Sequence, residues 1–235
     1  IWGFDDLEAI FFMTLLLLLY FADIPYLGNE VPFYLCRMTR KIWLAGQVVY
    51  IVCATAIYTV AILLSTILIC GQRCYVGNIW SETAVKLAFT SAGKKLSLAA
   101  SEKTLELTRP YACMTTMFFL LFAYALVMVL LIFWFRILWN ELAGMIAGVV
   151  FNGISFIFSP GILQKLLGIS ERKSYLANVA AGWISPLSHA TYHLHNFGYD
   201  RLPSLRDSGI YDMVLVIMLI LLNLYSIRTY HFVFD

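Results

Sequence analysis

Three histidines in one short run, His189, His193 and His195 in SHATYHLH, are the residues whose type and spacing come nearest to chemistry. On a helix, His189 and His193 share a face at i, i+4, a spacing that can hold a metal ion. A di-iron membrane hydroxylase needs several more such clusters, and zinc hydrolysis needs a carboxylate base like the Glu of HExxH, which this run lacks. The spacing therefore predicts interfacial histidines, polar tips above an apolar body, ahead of metal ligands. Ala92-Gly-Lys-Lys95 lacks both the earlier glycine and the hydroxyl residue of a phosphate-cradling loop, and no GxSxG occurs. Cys36, Cys53, Cys70, Cys74 and Cys113 form no CxxC pair and have no Cys/His ligand spacing. Cys70, Cys74 and Cys113 fall at neighbouring helix ends where a bridge is geometrically open, but the odd count favours free thiols. No catalytic, metal-binding or cofactor-binding residue is assigned.

The elements that would position these residues are set by composition. A chain of 235 residues, 61% hydrophobic and 13% charged, with mean hydropathy +0.81, is too apolar for an ordinary soluble domain. It reads as an all-α polytopic membrane protein forming a single transmembrane domain over residues 1–235. The net charge of +2, without a basic patch interleaved with aromatics, gives no reason to expect nucleic acid as a partner; membrane lipid is the partner that composition names. Five spans are expected, near 7–24, 46–70, 111–135, 142–158 and 211–227. The acidic start IWGFDDLE carries neither an initiator Met nor a basic n-region, and a sixth span is expected upstream of it.

Between the spans, Gly71 to Arg109 reads as an ordered, partly helical surface segment, with Ser81 and Ser101 as caps of short helices over Thr83 to Ala92 and Glu102 to Thr108. The short link Arg136 to Glu141 forces its flanking helices to be antiparallel neighbours. The second of these carries Gly144-x-x-x-Gly148, a small-residue surface read as packing within the subunit ahead of dimerisation. Ser159 to Ile210 is too interrupted to span and reads as a re-entrant or interfacial helical hairpin. Asp23 and Glu141 sit near span ends, and Asn152 and Asn223 are the deepest polar amides, read as helix–helix hydrogen bonds. Without an intramembrane charge, the pattern argues against an ion-coupled carrier and fits amphiphilic or lipid-like cargo.

The basic stretch VPFYLCRMTRKIWLAGQ, Val31 to Gln47, lies between two apolar runs. As a helix it aligns Val31, Leu35, Met38 and Ile42 on one apolar stripe and leaves Arg37, Arg40 and Lys41 off it. Such an element docks on a membrane or in a partner's groove, or else it is a basic juxtamembrane loop anchoring two helices. Orientation stays open on charge alone. The face holding this stretch, Arg136 and Arg228 has five basic residues against eleven on the other, whereas Asp5, Asp6 and Glu8 before the first span and Arg37, Arg40 and Lys41 after it argue the opposite.

Arg37-Met-Thr-Arg-Lys-Ile-Trp43-Leu-Ala resembles the basic-then-tryptophan segment after the second helix in the membrane (permease) subunits of type-two ABC exporters. Asn78-Ile-Trp-Ser81 and Trp183-Ile-Ser-Pro-Leu-Ser188 are weaker echoes of the same family. The resemblance covers most of the chain as an order of elements and only short patches as sequence. It implies six helices, an interfacial, cytoplasmic coupling helix at Val31 to Trp43, external re-entrant helices within Ser159 to Ile210, and alternating access driven by separate ATPase subunits that bind ATP and Mg. In that arrangement Phe33, Met38 and Trp43 anchor the coupling helix in the ATPase, and Arg37, Arg40 and Lys41 pair with acids there. A second permease copy or homologue completes the pathway for an amphiphilic, lipid-like or peptide cargo in a bacterial cytoplasmic membrane. The alternative is a non-transporting integral membrane protein, a metal-dependent enzyme or an immunity-type binding protein, that uses the segment of His189, His193 and His195.

Overall fold

The computed structural model describes residues 6–21, 24, 31, 37–71, 77–90, 93 and 101–230. They are helical, with ten α-helices: α1 (Leu7–Tyr20), α2 (Arg40–Cys70), α3 (Glu82–Phe89), α4 (Glu102–Leu107), α5 (Pro110–Leu138), α6 (Glu141–Ile157), α7 (Pro160–Leu166), α8 (Ser174–Ile184), α9 (Pro186–Ala190) and α10 (Leu205–Thr229). Among the described residues three helices, not five, are long and apolar enough to cross a membrane: α2 with 31 residues, α5 with 29 and α10 with 25. Three such helices are compatible with a membrane protein.

The two other expected spans fall short for different reasons. Helix α1 has 14 residues, which at 1.5 Å each reach about 21 Å, against about 30 Å of hydrocarbon. Helix α6 stops at Ile157, and the chain bends by 71° at Ser159-Pro160 into α7, so the pair is a broken span or a re-entrant turn. Proline cannot donate to the preceding turn, which makes the break a local consequence of sequence.

α5 is the central helix. Of its most apolar stretch 56% is buried, against 22% for α2 and 28% for α10. It packs against α10, α6, α2 and α1. Two polar ties join α5 to α10: Trp134 Nε1 donates to Ser226 Oγ at 3.0 Å, and Asn223 Nδ2 to the Leu130 carbonyl at 3.3 Å. Helix α1 runs antiparallel to α6, with Phe11 against Phe156 and Leu18 at Gly148, and Tyr58 of α2 donates to the carbonyl of Met13.

The helices therefore alternate in direction and the bundle has two ends. One end holds Thr39 to Lys41, the Arg136–Glu141 ion pair at 3.1 Å and the last turn of α10. The other collects α3, α4 and the segment from α7 to α9. There Ser81 Oγ caps α3 by accepting from Ala84 N at 3.2 Å, and Ser101 Oγ caps α4 from Thr104 N at 3.4 Å. Trp80 Nε1 donates to the Thr108 carbonyl and Asn78 Oδ1 accepts from Tyr111 N, so the Asn-Ile-Trp-Ser run clamps the start of α5. Cys53 and Cys70 are free thiols, Cys113 is buried, and Cys36 and Cys74 lie outside the described residues.

Candidate functional site

The basic stretch does not form one helix from Val31 to Trp43. Arg37 and Met38 lie in a turn, and Thr39 is extended at φ −75°, ψ 153°. Its hydroxyl accepts from Ile42 N at 3.4 Å and so starts α2 at Arg40, six residues before the span expected from Gly46. Phe33 and Leu35 lie outside the described residues. Val31 is 4% exposed and Trp43 6%, both in the core between α2, α5 and α10, with Met38 half-buried against it. Arg37, Lys41 and Ile42 are exposed.

Arg40 is committed within the chain. Its Nη1 donates to the carbonyls of Ile227 (3.3 Å), Arg228 (2.9 Å) and Tyr230 (3.1 Å). These belong to the orphan acceptors that every helix C-terminus leaves, and a cation there also opposes the helix dipole. Arg40→Gln should fray the last turn of α10 at a cost on the order of 1 kcal/mol. Faster amide exchange confined to the 226–230 backbone would show it; unchanged exchange there would refute the capping role.

At the other end, α9 closes at Ala190, so His193 lies in the next 3₁₀ turn, Tyr192–Leu194, and does not stack one helical turn above His189. His189 meets His195 instead. His189 Nδ1 and His195 Nε2 each lie 2.8 Å from Ser208 Oγ, in the first turn of α10. The three residues are buried, at 1%, 0% and 0% exposure. Tyr211 stacks on His189 with ring centroids 4.2 Å apart. Burial pushes the His189 ring below its ordinary value, opposed by its bond to the Trp183 carbonyl and by Asp207. Burial also pushes His195 down, opposed by the Tyr192 and Thr191 backbone and reinforced by His189 and Lys103.

Lys103 locks this region to α4. Its Nζ donates to the His195 carbonyl at 2.7 Å, pairs with Asp200 at 2.5 Å, and sits 5.1 Å from the Phe197 ring centroid and 5.2 Å from that of Tyr199. Ser185 caps α9, Trp183 Nε1 donates to the Arg201 carbonyl, and Leu187 N donates to Ser155 Oγ of α6 at 3.0 Å. Among the described residues no three His, Cys, Asp or Glu side chains converge as a metal-ligand set.

Sequence reasoning missed Asp212. Placing the last span at 211–227 left it at the water boundary, but the Ser204/Asp207 capping box starts α10 at Leu205 and carries Asp212 into the helix. It is 3% exposed, and its Oδ2 has no hydrogen-bond partner among the described residues. A carboxyl group inside an apolar helix is a functional candidate by default, which removes the argument made above against ion coupling. The fold and these sites thus define an all-helical chain with three candidate membrane-spanning helices and polar groups buried among them. No family model, curated protein or solved structure matches the chain.

Proposed function

We propose that this chain is the permease subunit of an ATP-driven exporter, placed in a bacterial cytoplasmic membrane. It pairs with a second permease copy or homologue and with separate ATPase subunits that carry the ATP and Mg. The observation that carries the reading is the arrangement of the two ends. The basic-then-tryptophan segment sits at the end that also holds the short α5–α6 link and the end of α10, and the long folded segments gather at the other. The resemblance of Arg37 to Ala45 to the exporter family supports the same layout, with the basic end in the cytoplasm. The cargo is amphiphilic, lipid-like or a peptide, moved by alternating access.

Within this reading the surface offered to the ATPase differs from a free-standing helix. Arg37 and Lys41 are exposed and available to acids on the partner, whereas Trp43 is buried and Arg40 holds α10. Docking is then transmitted straight into α2 and α10, which Arg40 ties together.

The test is association. Purified from native membranes in mild detergent, the protein should bring an ATPase with it, and Phe33→Ala should weaken that association more than Lys41→Ala, because an aromatic anchor seated in a partner's groove outweighs a rim charge. Absence of any associated ATPase, or labelling of an introduced cysteine near Lys94 from the cytoplasmic side, would overturn the assignment.

A further inference from the structure

Around Ser208 the hydrogens can be counted. The far-side nitrogens of the two rings, Nε2 of His189 and Nδ1 of His195, face the carbonyls of Trp183 at 3.2 Å and Tyr192 at 3.1 Å. A carbonyl only accepts, so both far-side nitrogens carry hydrogens. In neutral rings the near-side nitrogens are then acceptors, and both point at the one hydroxyl of Ser208, each at 2.8 Å. Four contacts need four hydrogens, while two neutral imidazoles and a serine supply three. One near-side contact is left lone pair against lone pair in a buried site, where an unmet polar group is costly.

We propose that His189, Ser208 and His195 form a binding site for a single proton, which converts one ring to an imidazolium that donates to Ser208 while Ser208 donates to the other ring. The bound proton completes the network that joins the segment 183–195 to the first turn of α10. The two rings sit on one side of this joint and the serine on the other, so loading rewires the bonds across it, while the net cost of a buried cation loosens the joint as the proton binds. A second proton is disfavoured, because two cations would then flank one hydroxyl beside Lys103.

The charged and titratable groups around the site come from each element packed on it. Helix α10 supplies Asp207, Tyr211 and Asp212, the last one turn below Ser208 on the same face; α4 supplies Lys103, already paired with Asp200. Tyr192 belongs to the segment itself, and Cys113 and Tyr124 of α5 lie in the apolar cluster beneath it. Helices α1 and α6 contribute Ile10 to that cluster and Ser155, neither of which titrates in this range. Burial opposes the proton, so loading falls on the acid side of the ordinary histidine value of about 6.5. The unfolded chain then takes up protons first. Stability contributed by the site is fully present above about pH 6.5 and declines as pH falls from there toward the loading pH.

The experiment is a ring-nitrogen NMR titration of the full chain, histidine-labelled with nitrogen-15, in detergent from pH 8 to pH 4. The wild-type pair should gain one proton between them in a single acid-side step. Ser208→Ala should move that step down by about one pH unit or more, since the imidazolium loses its acceptor. His195→Gln offers an uncharged N–H to Ser208, so its His189 should take up no proton across the wild-type step. Two independent protonations at the ordinary value, or a wild-type step that persists in His195→Gln, would overturn the proposal even if Ser208→Ala failed to fold.

Discussion

Asn152→Ala is expected to destabilise the bundle by about 2–3 kcal/mol, because one side chain holds three helices. Asn152 in α6 is fully buried; its Oδ1 accepts from the Tyr124 hydroxyl of α5 at 2.9 Å and its Nδ2 donates to the Phe11 carbonyl of α1 at 3.1 Å. Helix α1 is short and leans on α6, so the second bond is one of few polar ties holding it. Interhelical bonds in membranes average only about 0.6 kcal/mol, and the larger part of the expected loss comes from the Tyr124 hydroxyl, left buried without its acceptor. Tyr124→Phe removes that hydroxyl while keeping the ring stacked on Phe151 at 5.8 Å. Added to Asn152→Ala, it should therefore recover part of the loss, because the unsatisfied hydroxyl is gone. Unfolding in mixed detergent micelles around the double-mutant cycle checks this: strict additivity of the two single losses would show that the pair does not interact.

The reading of Asn152 as a helix–helix bond was available from sequence because an amide deep in an apolar run has few other uses. The short helices at Ser81 and Ser101 were legible for a similar reason, since a cap is a local signal carried by a hydroxyl and a following apolar turn. The start of α2 was not legible in the same way. Arg40 and Lys41 look like loop charges in any window around them; Thr39 caps the helix locally, but the carbonyls that the Arg40 side chain serves lie nearly the whole chain away, at Ile227 to Tyr230. The end of α1 was hidden by composition, because the apolar run continues past Tyr20 while the helix does not. Asp212 was recoverable: Ser204-x-x-Asp207 before an apolar run is a capping box, and honouring it would have placed the carboxyl inside the span. The meeting of His189 and His195 was out of reach, since it depends on α9 stopping at Ala190 and on a serine thirteen residues beyond His195, and no periodicity encodes either.

Gly144→Ala should cost about 1–3 kcal/mol, more than Gly148→Ala, although the second glycine has the closer neighbour. A Cβ at Gly144 would sit 2.8 Å from the Ile132 carbonyl oxygen and 3.3 Å from Arg136 Cβ. The obstacle is backbone of α5, the helix most tightly enclosed, and it yields only by moving α5 against α2 and α10. A Cβ at Gly148 would run into Leu18 Cδ2, a side-chain end that another rotamer can withdraw, and come within 2.9 Å of Ile132 Cγ1, which gives less easily but is still side chain and not backbone. Gly153 has nothing within 4 Å of its would-be Cβ, so Gly153→Ala should be neutral or stabilising by up to about 1 kcal/mol through helix propensity. Micellar unfolding of the three variants should therefore rank them 144, 148, 153 from most to least destabilised. Replacement by leucine should widen the first gap, because a larger side chain at 144 must displace the α5 backbone further. The ranking also separates the roles open to a Gly-x-x-x-Gly pair. If the pair served dimerisation, alanine at either position would shift oligomeric state and leave the unfolding of the single chain unchanged. Contacts made inside one chain, to Ile132 and Leu18, require the reverse.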